Sequence, residues 1–201
     1  MTMKYVIQTV ADPAAVADAP FLEIAHRAAD YAEVPKTVAQ VVYVKDWGFV
    51  CRMTTWEKNP KAVITETDGD TYKDSCMEWF INFNPAAGDN YLNFEGNAAG
   101  VLHCKLGKDR YVRNALDPKI LRPTANVHKE ADRWSVDYAI KLETVRAVFG
   151  KDTFAPGDVL KSNFYKCGDE TDAPHYGMWS LVAQERLDYH TPQFFGDLVI
   201  G

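Results

Sequence analysis

Few residues in this chain of 201 amino acids fall into a spacing that chemistry requires. A phosphate cradle would need GxxxxGK[ST], and a dinucleotide site a strand–GxGxxG–helix; neither string occurs. HExxH and GxSxG are absent as well, which removes the usual marks of zinc proteases and serine hydrolases. Carboxylates, histidines and aromatic rings remain. Glu78 and Glu95 fall at outward positions of two short alternating segments, where a glycosidase would place its two acids. Such a pair works at ~5–5.5 Å for retention or ~6.5–9.5 Å for inversion. The competing account of both is a polar strand face with its own partners. His103, His175 and His190 show no metal-ligand spacing among them. His175 and His190 lie in aromatic loops, where imidazole serves more often as a hydrogen-bond partner than as a metal ligand. The oxygen-rich loop Thr65-Glu66-Thr67-Asp68-Gly69-Asp70 could hold a structural calcium, although it lacks the order of an EF-hand loop.

The aromatic signal goes further. Tyr72, Tyr176, Trp179 and Tyr189 all fall in polar, turn-like contexts instead of the alternating core pattern. A sugar ring has an apolar face of C–H groups and a rim of hydroxyls. An aromatic plane therefore recognises it, with carboxylate, amide or guanidinium groups around the edge. The alternative for any one of these rings is a place at the margin of the core.

These groups must be carried by strands. Ala39–Val44 and Phe49–Trp56 alternate around the turn Asp46-Trp47-Gly48 and form a hairpin. In the run Cys76–Phe83, Met77, Trp79, Ile81 and Phe83 share one side, and Cys76, Glu78, Phe80 and Asn82 the other. Tyr91–Glu95 puts Leu92 and Phe94 inward and Tyr91, Asn93 and Glu95 outward. Trp134–Lys141, Val159–Cys167 and Phe195–Ile200 add further strands. A short helix is expected over Phe21–Tyr31 and another over Leu142–Phe149, ending at Gly150, while Gly107–Glu130 reads as a long irregular connection. Seven or eight short strands with turn residues between them give an all-β chain, a two-layer antiparallel β-sandwich of immunoglobulin-like type with one or two short helices. One domain over residues 1–201 is expected.

Composition narrows the partners. With 22 Lys+Arg against 28 Asp+Glu the net charge is −6, and no basic block offers to displace counterions from nucleic-acid phosphates. No apolar run reaches the ~18–20 residues of a membrane span. Met1–Ile7 leads into polar sequence and not into an apolar h-region, so the chain is expected to stay in the cytoplasm unless an export segment has been removed. Cys51, Cys76, Cys104 and Cys167 are widely spaced beside apolar residues and read as buried free thiols.

Taken in order, several stretches resemble carbohydrate-binding module family 9-like domains, especially their free-standing bacterial branch. They are Asp74-Ser75-Cys76-Met77-Glu78-Trp79-Phe80-Ile81, Tyr91-Leu92-Asn93-Phe94-Glu95, Asn163–Asp169, Pro174-His175-Tyr176 with Trp179, and Tyr189-His190-Thr191-Pro192-Gln193-Phe194-Phe195-Gly196-Asp197-Leu198. The resemblance runs from about Ala39 to Ile200. It implies a DOMON-related β-sandwich that binds chain ends of polysaccharides and small sugars, carries structural calcium in some members, and often works outside the cytoplasm. It further implies that Tyr72 and Tyr189 stand where two tryptophans clamp the sugar, and that Glu78 is the strand glutamate bonding its hydroxyls. Asn93 falls on or near the family's arginine, and Arg186 near its loop amide. Lys166, His175 and His190 belong to the free-standing branch's pattern.

The expected function is thus non-catalytic carbohydrate binding by Tyr72, Glu78, Asn93, Lys166, His175, Trp179, Arg186, Tyr189 and His190. Three rivals stand beside it: a hydrolase or lyase using Glu78 or Glu95 with a histidine, a DOMON-type haem site of Met178 with His175 or His190, and a protein-interaction module.

Overall fold

The computed structural model describes residues 2–201. Its strands are β1 (Lys4–Val10), β2 (Leu22–Glu23), β3 (His26–Arg27), β4 (Thr37–Val44), β5 (Gly48–Thr55), β6 (Cys76–Asn82) and β7 (Tyr91–Asn97). There follow β8 (Leu102–Gly107), β9 (Arg113–Ala115), β10 (Thr124–Lys129), β11 (Trp134–Lys141), β12 (Val159–Cys167), β13 (Tyr176–Met178) and β14 (Gly196–Ile200). The helix α1 (Leu142–Phe149) leaves β11 directly and stops at Gly150 in the left-handed conformation.

The strands pair in one continuous path, β10-β11-β5-β4-β1-β14-β12-β6-β7-β8-β9, that curls over itself into a β-sandwich. The hinge of the curl is β1. Its first half, Lys4–Ile7, runs parallel to β14, and its second half, Gln8–Val10, runs parallel to β4. These two parallel pairings are the departure from an otherwise antiparallel fold. The layers meet on their inward side chains: Val41, Phe49, Met53, Val136 and Tyr138 from one, Met77, Trp79, Ile81, Phe94 and Phe164 from the other. Phe94 and Tyr138 rings approach to 5.7 Å, and the Tyr138 hydroxyl donates to the Met77 carbonyl across the interface. Satisfying a buried hydroxyl in this way removes a penalty of about 1–3 kcal/mol.

Three expectations need correction. Phe21–Tyr31 is not helical: Leu22 and Ile24 are buried while Glu23 is exposed, the two-residue period of a strand. Phe21, 65% exposed, has no core to join. The connection Gly107–Glu130 contains β9 and β10, whose Ala125 and Val127 pack on the core. The strand number is 14 against the seven or eight expected, because β1, β8 and β10 and the two- or three-residue pieces β2, β3, β9 and β13 add to it. The four cysteines are buried free thiols, as read.

A second apolar cluster lies on the outer face of β6, β7 and β12. Phe80, Tyr91, Tyr165, Val182, Tyr189 and Phe195 meet there under the segment 179–195. This cover explains why β6 and β7 are buried at every position, Tyr91 included. It also turns the outer face into the floor of a cavity.

The β4–β5 hairpin gives a test of the frame. Gly48 sits at φ +148°, and a Cβ there would collide with the Ile140 carbonyl of the neighbouring strand. Gly88, at φ +142°, has open space instead. Gly48→Ala should cost about 3–4 kcal/mol in urea denaturation, clash added to strain, and Gly88→Ala, strained without a clash, about 1–2 kcal/mol.

Candidate functional site

Strand register assembles the site. Glu78 of β6 lies directly opposite Glu95 of β7, which lies directly opposite His103 of β8. Because side chains alternate, all three share the outward face, joined by Lys105 two residues beyond His103. On the other flank Tyr165 of β12 is the neighbour of Glu78, and Cys167 that of Cys76. A short 3-10 turn, Thr71–Lys73, lifts Tyr72 above this row, and the segment 179–195 closes it from the far side. Between them lies a cavity of about 450 Å³. Pockets for small ligands generally run ~300–1,000 Å³.

Its floor is acidic and tightly bonded. Glu78 is 3% exposed and accepts from Cys167 Sγ at 2.9 Å. Burial, reinforced by Glu95 across the strand pair, pushes the Glu78 carboxyl well above the usual carboxylate range. Glu95 accepts from Asn93 Nδ2 at 2.6 Å and lies 3.6 Å from Arg113 Nη1. Cys76, Glu78 and Cys167 bring donor atoms within 4.8 Å of one another, the geometry a soft metal would want. Burial moves the Cys76 thiol up to about 11, and the contact with Cys76 together with burial moves Cys167 well up, so both thiols stay protonated.

The opposite wall is basic. His103 Nδ1 lies 2.8 Å from the Asp68 carbonyl and 3.1 Å from that of Gly69. Carbonyls only accept, so the proton is assigned to Nδ1, and Nε2 is left buried without a partner. Arg113 crosses β8 over Gly107, whose missing Cβ is the space its side chain occupies. Arg110 is held by Asp188 through Nε at 3.0 Å and Nη2 at 2.8 Å. Lys105 and Arg186 complete this side.

Of the nine residues expected in the site, Tyr72, Glu78, Arg186, Tyr189 and His190 line the cavity. Tyr72 is 37% exposed. Tyr189 is stacked on Tyr165 at 3.9 Å and 12°, its hydroxyl donating to the Gly177 carbonyl, so one of its faces is already covered. Asn93 does not reach the cavity and instead holds Glu95. Lys166, His175 and Trp179 do not line it either. Alternation on β12 sends Lys166 to the side opposite Tyr165 and Cys167. There its Nζ, 0% exposed, bonds Ser75 Oγ at 3.0 Å, the Cys167 carbonyl at 3.0 Å and His175 Nε2 at 2.8 Å, with Glu57 at 3.4 Å. Trp179 packs in the main core against Phe164. Tyr31, Asp169, Lys105, Arg110 and Arg113 line the cavity without having been expected. The strict alternation Leu102-His103-Cys104-Lys105-Leu106 is the signal that would have put His103 and Lys105 on the outer face.

The loop Thr65–Asp70 does not fit calcium: Arg122 takes both oxygens of the Asp68 carboxylate, and Asp70 pairs with Lys73. Haem does not fit either, since Met178 Sδ accepts from the Val182 amide, His175 faces Lys166, and His190 Nδ1 is bonded to the Tyr91 hydroxyl at 2.8 Å.

Burial, with Arg113 and Arg110 nearby, lowers His190 to about 2. Its folded value lies below the unfolded ~6.5, so the stability it contributes is present above pH 6.5 and lost as pH falls. Between pH 7.5 and 5 the parent should lose about 2 kcal/mol more in urea denaturation than His190→Asn, whose side chain takes no proton.

Comparison with known proteins places this geometry. Residues 14–200 match the family described as Carbohydrate-binding family 9. No curated protein matches the chain. Among solved structures, a candidate carbohydrate-binding protein from Bacteroides uniformis aligns over 100% of both chains at 23% identity and a TM-score of 0.83. A carbohydrate binding module family 9 from Caldicellulosiruptor kristjanssonii in complex with glucose aligns over 99% of this chain and 96% of its own, at 13% identity and a TM-score of 0.68. The same organism's module in complex with cellotriose aligns over 98% and 93%, at 12% identity and a TM-score of 0.68. These likenesses extend over nearly the whole fold, and the match over residues 14–200 makes this chain a member of carbohydrate-binding family 9.

Proposed function

We propose that the chain is a non-catalytic carbohydrate-binding module that receives a mono- or oligosaccharide end in the cavity over β6, β7 and β8. One observation carries the reading: an exposed ring, Tyr72, stands above a row of three buried polar side chains, Glu78, Glu95 and His103, on one face of the sheet. The C–H face of a sugar stacks on Tyr72, with Tyr189 as the opposing wall and Tyr176 at the edge. Hydroxyls then meet the Glu78 carboxyl, the Glu95 carboxylate and His103 Nε2 as acceptors, with Arg113 and Arg186 as donors. A buried neutral hydrogen bond is worth ~0.5–1.5 kcal/mol and one to a charged group ~1.5–3 kcal/mol, so a few of them give ordinary module affinity. The glucose and cellotriose complexes of the Caldicellulosiruptor modules support the ligand class.

Calorimetric titration with glucose, cellobiose and xylobiose tests this. Tyr72→Ala should weaken binding about tenfold while thermal unfolding stays within ~0.5 kcal/mol of the parent, because the ring is exposed and outside both apolar clusters. Unchanged affinity in Tyr72→Ala would remove the stacking platform. Oligosaccharides incubated with the protein should show no rise in reducing ends; a rise abolished by Glu78→Gln would make the carboxyl pair catalytic instead.

A further inference from the structure

The cavity's charges do not balance as its acids suggest. Four acids line it, Asp70, Glu78, Glu95 and Asp169, against four bases, Lys105, Arg110, Arg113 and Arg186. Asp70 is taken by Lys73 at 3.0 Å, Glu95 faces Arg113 at 3.6 Å, and Arg110 is taken by Asp188 at 2.8 Å. Glu78 accepts from the Cys167 thiol on one oxygen. Lys105 and Arg186 make no ion pair among the described residues, which leaves two uncommitted cations in a cavity whose uncommitted acids are Glu78 and Asp169. In a chain of net charge −6, this keeps unpaired positive charge inside a partly enclosed space.

One further atom points the same way. Arg113 Nη1 is buried with no hydrogen-bond partner on the wall built by β8 and β9, whereas His103 Nε2, equally unpartnered, is an acceptor and is met by a sugar hydroxyl. Buried polar groups are nearly always satisfied, so an orphaned guanidinium nitrogen lining a cavity calls for an acceptor from outside. A hydroxyl could supply it. A carboxylate supplies more, because it also neutralises Lys105 and can take a guanidinium in bidentate fashion. The hydroxyls of the same sugar remain for Glu78, Glu95 and Asp169.

Resting on the carbohydrate-binding reading, we propose that the cavity selects an acidic sugar, a uronate residue or uronate-terminated oligosaccharide, whose carboxylate docks between Lys105, Arg113 and Arg186. The rest of the ring lies over the carboxyl floor.

Titration of the intact protein with glucuronate, galacturonate and digalacturonate beside glucose and cellobiose decides it. At low salt a uronate should bind at least tenfold more tightly than its neutral counterpart, and the preference should shrink several-fold between 50 and 500 mM salt. Lys105→Met should bring the uronate-to-neutral ratio toward one, and Lys105→Arg should restore it, with thermal unfolding reporting that both variants fold. Neutral sugars binding as well as or better than uronates would overturn the acidic-sugar proposal and leave the carbohydrate reading intact. A preference unaffected by Lys105→Met would overturn the docking site. Failure of every saccharide to bind would overturn both.

Discussion

The register of β6 between β12 and β7 is the constraint on which the rest depends. This strand is buried on both faces, so it has no solvent side to absorb an error. A slip of one residue would exchange its faces, driving Glu78 into the hydrocarbon core and Trp79 into the cavity. The structure guards the register with bonds to both layers. Tyr138 donates to the Met77 carbonyl, Trp79 Nε1 donates to Ser162 Oγ at 3.1 Å, and Asn82 donates to the Gly88 carbonyl at 2.7 Å. Fold and site are thus set by the same hydrogen bonds.

Electrostatics then differentiates chemically similar groups. Glu78 and Glu95 are direct neighbours, and two adjacent buried carboxylates would repel. The conflict is eased by giving one a thiol partner, and the other an amide and a guanidinium. Lys166 shows the converse. Entirely buried, it is held by Ser75, His175 and Glu57, and burial lowers it from its ordinary value. Removing Glu57 would leave a buried charge with no counterpart, the costly way to break such a network.

What the sequence disclosed follows period two. The β4–β5 hairpin, β6, β7 and β11 announce themselves by alternation, α1 by its helical run and closing Gly150, and the outward direction of Glu78 and Glu95 by parity. The outer cluster does not announce itself. Its residues come from four separate stretches, so the burial of Tyr91 beneath 179–195 could be read only from coordinates. Parity on β12 does put Lys166 opposite Tyr165, but its meeting with His175, just before β13, and with Glu57 could be read only from coordinates. Short strands such as β2, β3 and β9 owe their form to the neighbours they pair with and carry little pattern of their own.

The segment 179–195 does two jobs at once. Arg186, Leu187, Tyr189 and His190 shape the cavity, while Val182, Tyr189 and Phe195 are stitched into the apolar cluster beneath. This wall therefore cannot swing aside without stripping Phe80 and Tyr165 of their cover. A saccharide held in this cavity as proposed would therefore lose little free energy to loop ordering, because the wall is already in place.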